Sequence, residues 1–301
     1  MTTTFRGKTM SWEPVEGVLE VRLHREPANE IGTTTLTELE HLVRVIGEGA
    51  AGCRALLWRS EVKRGFCAGA DLRELHAGLV ERKEQVGPLR RVARALPTGA
   101  QDLLREGARR VSQPVIRRRV GQFIDRIHTA FDALDQAPIP TVAAVHGVCL
   151  GGGLELALTA DVIIADKTAR FGFPELRLGL IPGFGGLPRL SRDLGNAVSR
   201  DLLFTGRTIR ASRAYELGLV SQLAANGQAP AIARAVTRQM IRFDPRVTAQ
   251  AKAFAKPLPR ADLDREKETF LRMVTDPTVL DALTTFVTDE GPMPWLPGGS
   301  P

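Results

Sequence analysis

The chain has 301 residues, of which 43% are hydrophobic and 25% charged, and its formal net charge is +7. This length and apolar content suffice for one large domain or two ordinary ones, and they exclude a globally disordered chain. Three widely spaced cysteines without a C-x-x-C pair exclude a disulfide framework and a thiolate zinc site, and they are typical of a reducing compartment.

The first part of the chain predicts two strands with a helix between them. Residues 18–23 alternate in polarity as a strand does, and residues 55–59 predict a second strand. Apolar residues between these strands recur at helical spacing and predict a helix of about fourteen residues. Thr35 and Glu38, at its start, have the spacing of a capping box.

A long basic segment follows, from about residue 73 to residue 136. It is predicted to be helical, with interruptions at Gly87-Pro88, Pro97 and Gln113-Pro114. Between residues 73 and 126 it has thirteen cationic and six acidic residues, an excess equal to the net charge of the whole chain. Such a segment attracts polyanions, or it forms a solvated helical surface.

Two short apolar runs in the second half predict buried strands, at residues 140–145 and 161–166. Between them, Gly151-Gly152-Gly153 precedes a short predicted helix at about residues 154–159. A second glycine cluster, over residues 179–186, is followed by predicted helices. These repeated strand–strand–helix units predict an α/β fold with parallel strand pairing.

Two glycine-rich turns each follow a predicted strand, namely Ala68-Gly69-Ala70-Asp71 and Gly151-Gly152-Gly153. Glycine lets the backbone approach a ligand closely, and the start of a helix leaves N–H groups unpaired. Two such turns could direct two N–H groups at one oxygen and form an oxyanion hole. Ordinary tight turns are the alternative explanation.

Two acids lie next to these turns. Glu155 falls in the first turn of the short helix, and Glu175 follows the next strand. Each has a structural explanation by itself, as a partner of the helix dipole or as a solvent-facing turn residue. Together in a pocket of low dielectric constant, they could divide the roles of acid and base. A dinucleotide site is excluded because Leu156 stands where its fingerprint needs glycine or alanine.

Five motifs occur in a fixed order along the chain. They are Gly65-x-Cys67-Ala68-Gly69-Ala70-Asp71-Leu72, Pro140-Thr-Val-Ala-Ala-Val-His-Gly147, Gly151-Gly-Gly-Leu-Glu155-Leu-Ala157, Phe171-Gly-Phe-Pro-Glu175 and Leu178-Gly-Leu-Ile-Pro-Gly183-Phe-Gly-Gly186. With them the chain resembles the enoyl-CoA hydratase/isomerase (crotonase) superfamily over about residues 15–70 and 137–225.

The resemblance implies a crotonase-like spiral of β-β-α repeats with a helical C-terminal region. We therefore predict a spiral core over residues 1–235, which includes the basic insertion at about residues 73–136. Residues 236–301 are predicted to form the C-terminal helical region with a Pro/Gly-rich tail. Homotrimers, often paired into hexamers, are the assemblies that the resemblance implies.

The catalytic groups are also implied by the resemblance. Ala70 and Gly152 match the positions whose backbone N–H groups hold the thioester oxygen of an acyl-CoA. Glu155 matches the residue that deprotonates the water attacking Cβ, and Glu175 matches the residue that exchanges a proton with Cα. No metal and no separate cofactor is expected, since coenzyme A is part of the substrate.

Further substrate-binding positions are expected at Ala68, Asp71, Arg73 and Gly151. Arg73 falls where the family often places a cation near the pantetheine or the phosphates of coenzyme A. Two features depart from the family pattern. The basic insertion is much longer than usual, which leaves the acyl-chain preference open, and the usual lysine of the final helix has no clear match.

The expected activity is hydration of a 2-enoyl-CoA in fatty acid metabolism, or the reverse dehydration. Another crotonase reaction is the first alternative: isomerisation, decarboxylation or C–C hydrolysis. A protein that binds RNA or a partner through the basic insertion is the second, although we do not expect nucleic acid as the main partner.

We expect the protein to be cytoplasmic and to have no membrane span. The first ten residues contain no apolar run of the kind found in signal peptides. The longest apolar region, over residues 141–165, is interrupted by His146, Glu155 and Asp161.

Overall fold

The computed structural model describes residues 4–85 and 98–288, which form two β-sheets with helices packed around them. The strands are β1 (Phe5–Arg6), β2 (Met10–Val15), β3 (Val18–Leu23), β4 (Ala55–Ser60), β5 (Gly65–Cys67), β6 (Thr141–Val145), β7 (Val148–Leu150), β8 (Val162–Asp166), β9 (Arg170–Gly172), β10 (Thr208–Arg210) and β11 (Gln222–Ala224). The helices are α1 (Thr33–Gly47), α2 (Leu72–Gln85), α3 (Thr98–Asp135), α4 (Gly152–Ala157), α5 (Gly186–Leu194), α6 (Asn196–Thr205), α7 (Ala211–Glu216), α8 (Ala229–Met240), α9 (Pro245–Ala255), α10 (Arg260–Met273) and α11 (Pro277–Thr288).

Most neighbouring strands within each of the two sheets pair in parallel. The larger sheet has the strand order β1-β2-β3-β4-β6-β8-β11, and every pair from β3 to β11 is parallel. The smaller sheet has the order β10-β9-β7-β5, in which β5, β7 and β9 pair in parallel. Parallel sheets need crossover connections and coverage on both faces, which the helices provide.

A strand–strand–helix unit recurs along the chain. In three successive units the first strand (β4, β6, β8) joins the larger sheet and the second (β5, β7, β9) joins the smaller one, and α2, α4 and α5 follow them. This recurrence confirms the predicted spiral of β-β-α repeats, and helices α8 to α11 provide the predicted helical C-terminal region. The turns after β5, β7 and β9 consequently lie at the same end of the smaller sheet, where these parallel strands have their carboxyl ends.

The hydrophobic core fills both faces of the larger sheet. A main cluster lies between the sheets and the surrounding helices, and it includes Trp12, Trp58 and Phe131. A second cluster on the opposite face packs β4, β6 and β8 against α8. All five residues of β6 are buried, as the continuous apolar run predicts.

The capping-box prediction for Thr35 and Glu38 is wrong. Helix α1 begins at Thr33 after Gly32, so Thr35 lies inside the helix and does not precede it. The buried Glu38 carboxylate instead accepts the backbone N–H groups of Lys8, Thr9 and Met10 at 2.6, 3.0 and 3.0 Å. Glu38 therefore ties α1 to the turn between β1 and β2.

The predicted interruption at Gln113-Pro114 is also wrong, because α3 continues through Pro114. A proline removes one helical hydrogen bond, but burial of an apolar stripe compensates for this loss. The stripe lies in the C-terminal half of the helix and consists of Val120, Ile124, Ile127, Phe131 and Leu134. The other predicted interruptions, Gly87-Pro88 and Pro97, lie outside the described residues.

Candidate active site

The turns after the three parallel strands of the smaller sheet line one cleft. The carboxyl ends of parallel strands are a common location for ligand sites, since the connecting loops converge there. The predicted acids and amide groups lie in this lining together with apolar side chains. The lining residues are Ala68, Gly69, Ala70, Leu72, Leu75, Gly151, Gly152, Glu155, Pro174, Glu175, Leu178, Leu180, Gly183, Phe184 and Phe270.

The backbone N–H groups of Ala70 and Gly152 approach each other across the cleft. Ile31 donates its N–H to the Gly69 carbonyl and accepts the Asp71 N–H, so the intervening Ala70 N–H faces the opposite side of the chain. Gly152 is the first residue of α4, where an N–H has no partner within the helix. A Cβ added to Gly152 would lie 3.2 Å from the Ala70 nitrogen, so the two amides line the same small space.

Two glycines are required to bring these turns together. Gly69 has a φ of +111° and Gly151 a φ of +50°, in the region that L side chains rarely adopt. A Cβ on Gly69 would also lie 3.0 Å from the Leu150 carbonyl oxygen and 3.3 Å from the Gly152 nitrogen. The glycines therefore permit the backbone contact that places the two amides side by side.

Glu155 lies in the first turn of α4 and is 2% exposed. Its Oε1 atom accepts the N–H groups of Phe184 and Gly186, both at 2.8 Å. Burial raises the pKa of Glu155 to about 7, although these N–H groups and the Arg189 guanidinium favour the charged form. The carboxyl group is thus fixed in place and titrates near neutral pH.

Glu175 approaches the cleft from the turn after β9. Its Oε1 lies against Gly151, because a Cβ on that glycine would be only 2.5 Å away. Its Oε2 is inaccessible to water and has no hydrogen-bond partner among the described residues, although the residue as a whole is half-buried. Burial, followed by the negative charge of Glu155, raises the pKa of Glu175 well above its usual range.

The two carboxyl groups consequently differ in protonation. Glu155 ionises first, and Glu175 holds its proton because a second negative charge in the same buried site is unfavourable. One carboxylate and one carboxylic acid beside two convergent N–H groups can abstract a proton, donate a proton and stabilise a developing oxyanion in a single cleft.

The remaining predicted binding residues separate into two groups. Ala68 and Gly151 line the cleft. Asp71 forms an ion pair with Arg25 and accepts the Glu74 N–H at 3.0 Å, so its carboxylate serves the start of α2. The exposed Arg73 donates to the Val287 carbonyl of α11 at 3.4 Å. Substrate contacts of Asp71 and Arg73 stay predictions.

Two residues of α10 reach the site without having been predicted. Phe270 lines the cleft, and the buried Glu266 accepts the N–H groups of Gly185 and Leu187 at 2.7 and 3.0 Å. The sequence does contain a signal for both. Leu263, Glu266 and Phe270 have the spacing of one helix face, so an acid lies within an apolar stripe.

The basic insertion is partly engaged in ion pairs. Arg117 pairs with Glu268 of α10 at 2.9 Å, and Arg126 pairs with Glu40 of α1 at 2.7 Å. Arg118 and Arg119 are exposed. The side chains of residues 79–113 lie outside the described set. For that part of the insertion, attraction of polyanions and a solvated surface both stay predictions. Within the described ranges, we find no helix that is long and apolar enough to cross a membrane.

Comparison with known proteins gives a family match and several relatives. Residues 117–284 match the model of the family "Enoyl-CoA hydratase/isomerase". The chain is 35% identical over 216 residues to "Enoyl-CoA hydratase domain-containing protein 2, mitochondrial" of Mus musculus, a match that covers 71% of this chain and 60% of that protein. It is 27% identical over 275 residues to the "Short-chain-enoyl-CoA hydratase" of Clostridium acetobutylicum, which covers 90% of this chain and 91% of that one.

A solved structure shares the fold. The enoyl-CoA hydratase of Bacillus halodurans superposes with a TM-score of 0.72 over 92% of this chain and 99% of that one, at 19% sequence identity. The chain spans 60% of the length of the mouse relative.

Proposed function

Because the chain belongs to the enoyl-CoA hydratase/isomerase family, we propose that it adds water across the 2,3 double bond of a 2-enoyl-CoA thioester, or removes water in the reverse reaction. One observation carries this proposal: two carboxyl groups, whose pKa values burial raises, lie in the same cleft as two convergent N–H groups. Hydration needs these three components together.

In the proposed reaction the thioester oxygen accepts the N–H groups of Ala70 and Gly152. The Glu155 carboxylate takes a proton from water while the water oxygen bonds to Cβ, and the π electrons move through Cα to the thioester oxygen. Glu175 then gives its proton to Cα as the carbonyl re-forms. The Oε2 atom of Glu175 is buried and has no partner in the described part of the chain, which supports this assignment, since an orphaned polar atom in a cleft suits a substrate contact.

We propose an apolar acyl group for the substrate. Outside the two glutamates, the described residues lining the cleft are glycine, alanine, proline, leucine and phenylalanine, without a cation. A substrate with a free carboxylate on its acyl chain would be buried there without an opposite charge, which is costly. Coenzyme A enters as part of the substrate, and the proposed chemistry uses no separate cofactor.

The test is a rate measurement with enoyl-CoAs of increasing acyl length. Hydration removes the ultraviolet absorbance of the conjugated enoyl thioester, and Glu155→Gln and Glu175→Gln should each lower the rate by roughly 10²- to 10⁴-fold. Isomerisation would instead give a mild effect for Glu155→Gln and a severe one for Glu175→Gln. If the parent protein is inactive with every enoyl-CoA and 3-hydroxyacyl-CoA tested, the proposal is contradicted.

Assembly and location are further proposals. We propose a homotrimer, in which apolar side chains exposed on the isolated chain are covered. Phe254 is 90% exposed and Phe243 is 62% exposed, next to or within helix α9. We also propose a cytoplasmic location, which cell fractionation would test.

A further inference from the structure

The turn over residues 184–187 divides its backbone N–H groups between two buried glutamates. Phe184 and Gly186 donate to Glu155, both at 2.8 Å. Gly185 and Leu187 donate to Glu266, at 2.7 and 3.0 Å. Successive N–H groups of the turn therefore alternate between the two carboxyl groups, one from α4 and one from α10.

The carbonyl groups of the same turn are held from another side. Arg189 donates to the carbonyls of Phe184 and Gly185 at 3.1 and 3.2 Å. The His128 Nε2 atom lies 2.8 Å from the carbonyl oxygen of Gly183, the residue directly before the turn. The position of the turn is therefore fixed through its carbonyls as well as its amides, and Glu266 supplies half of the amide contacts.

The turn also packs directly against the Glu155 side chain. A Cβ added to Gly186 would lie 2.6 Å from Glu155 Cγ, and one added to Gly183 would lie 2.6 Å from the Phe270 ring. Glu155 is thus packed against the turn as well as hydrogen-bonded to it. A carboxyl group that accepts the alternate N–H groups is in a position to control this contact.

We propose that Glu266 is a positioning residue, which holds the 184–187 turn so that its other two N–H groups orient the Glu155 carboxylate toward the attacking water. This inference rests on the proposed hydration. Glu266 is not among the residues lining the cleft, so its effect passes through the turn and not through contact with substrate.

Charged groups surround Glu266 from three elements. Glu155 on α4 and Arg189 on α5 are its electrostatic neighbours, and Arg189 is itself paired with Asp132 and Asp135 of α3. Burial first, and then the charge of Glu155, raises the pKa of Glu266 well above its usual range. Each oxygen of Glu266 accepts one N–H group of the turn, so its contribution to the turn is hydrogen-bond geometry.

Glu266→Gln separates geometry from charge. The glutamine is nearly isosteric and neutral, but it has one acceptor oxygen, so its NH₂ group would face one of the two N–H donors. The turn should shift, and Glu155 should lose stabilisation of its charged form. A matched control is Glu268→Gln, which removes an exposed carboxylate from the same helix.

The kinetic test compares these variants with the parent protein. We expect Glu266→Gln to lower kcat by about 10- to 100-fold, as small misplacements of catalytic groups do, with a smaller change in KM. In a Glu155→Gln background, the same substitution should cost less than about two-fold, because the group that it positions is gone. Glu268→Gln should behave like the parent. A full loss repeated in the Glu155→Gln background would overturn the inference.

The second readout does not require turnover. Carbon-13 NMR of carboxyl-labelled glutamates, with the Glu155 signal assigned from Glu155→Gln, follows the pKa of Glu155 directly. Glu266→Gln should raise that pKa by about one unit, because N–H donors that favour the carboxylate are displaced. A fall would mean that Glu266 acts by its charge, and an unchanged pKa would mean that it does not act on Glu155; either result overturns the inference.

The inference can still be tested if Glu266→Gln does not fold or if the parent protein shows no hydration. If Glu266→Gln does not fold, Glu266→Asp provides the same comparison, since it keeps a carboxylate but shortens its reach; we expect a smaller rise in the Glu155 pKa, and no rise would overturn the inference. If the parent hydrates no enoyl-CoA, the proposed function fails, and the NMR titration still decides whether Glu266 positions Glu155.

Discussion

At Glu155, burial and hydrogen bonding act on the pKa in opposite directions. Removal from water raises it, the N–H groups of Phe184 and Gly186 lower it, and the result is about 7. At Glu175 no such donor from residues 4–85 or 98–288 reaches Oε2, and the charge of Glu155 adds to the effect of burial. Neighbouring carboxyl groups in one cleft thereby acquire different protonation states, which is the usual basis for assigning a base and an acid.

This difference predicts the pH dependence of hydration. The base must be ionised, so kcat/KM should rise as the pH increases through about 7, where Glu155 loses its proton. It should fall again at a higher pH, where Glu175 loses its proton. Measurement of kcat/KM across this range tests the assignment, and a rate that declines steadily from acidic pH upward would contradict a catalytic base that ionises near neutral pH.

Ionisation of the Glu175 carboxyl group should also lower the free energy of unfolding. Its pKa is higher in the folded than in the unfolded chain, so its contribution to stability is lost as the pH rises through the folded value. Glu175→Gln should therefore increase the free energy of unfolding at alkaline pH by about 1 kcal/mol, because the variant has no buried carboxylate to ionise. Denaturant unfolding of both proteins measures this, and equal curves at alkaline pH would show that Glu175 is solvated.

Among the structural elements, the start of α4 has little space for an added side chain at Gly152. A Cβ on Gly152 would lie 2.8 Å from the Phe184 ring and 3.2 Å from the Ala70 nitrogen, within the space assigned to the thioester oxygen. Gly152→Ala should lower kcat by roughly 10²-fold or more, as loss of an oxyanion donor does. The matched control is Gly78→Ala in α2, where an added Cβ meets nothing within 4 Å. Equal rates for the two variants would remove Gly152 from the oxyanion hole.

Local patterns in the sequence predict most of these elements. Alternation predicts β3 at its observed bounds, Val18–Leu23, and the apolar runs predict β6 and β8 to within one residue at each end. The capping box predicted from the spacing of Thr35 and Glu38 does not form, because the Glu38 side chain contacts a distant turn. Pro114 fails as an interruption because tertiary packing outweighs a local preference.

The residues of the candidate site are likewise predicted from the sequence only in part. The positions that the family resemblance implies for catalysis, Ala70, Gly152, Glu155 and Glu175, lie together in the cleft, although their chemistry is untested. Glu266 and Phe270 come from a helix about eighty residues further along the chain, and only tertiary contacts bring them to the turn at residues 184–187. Sequence spacing identifies their shared helix face, but it does not show what that face contacts.

At the scale of the whole molecule, helix α9 has no buried residue in the isolated chain. Phe254, with its side chain 90% exposed, and Val247, 65% exposed, lie on this helix. Light scattering after size exclusion should give about three times the mass of one chain, and Phe254→Asp should lower that mass by placing a charge in the interface. A parent protein that elutes as a monomer would contradict the proposed trimer.

In the proposed reaction, one cleft delivers both the water oxygen to Cβ and a proton to Cα. Turnover of crotonyl-CoA in heavy-oxygen water and deuterium oxide, followed by mass spectrometry of the product, tests both transfers at once. We predict one heavy oxygen at Cβ and one deuterium at Cα, with both lost in Glu155→Gln. Deuterium at Cα without heavy oxygen at Cβ would contradict hydration and leave only proton transfer at Cα.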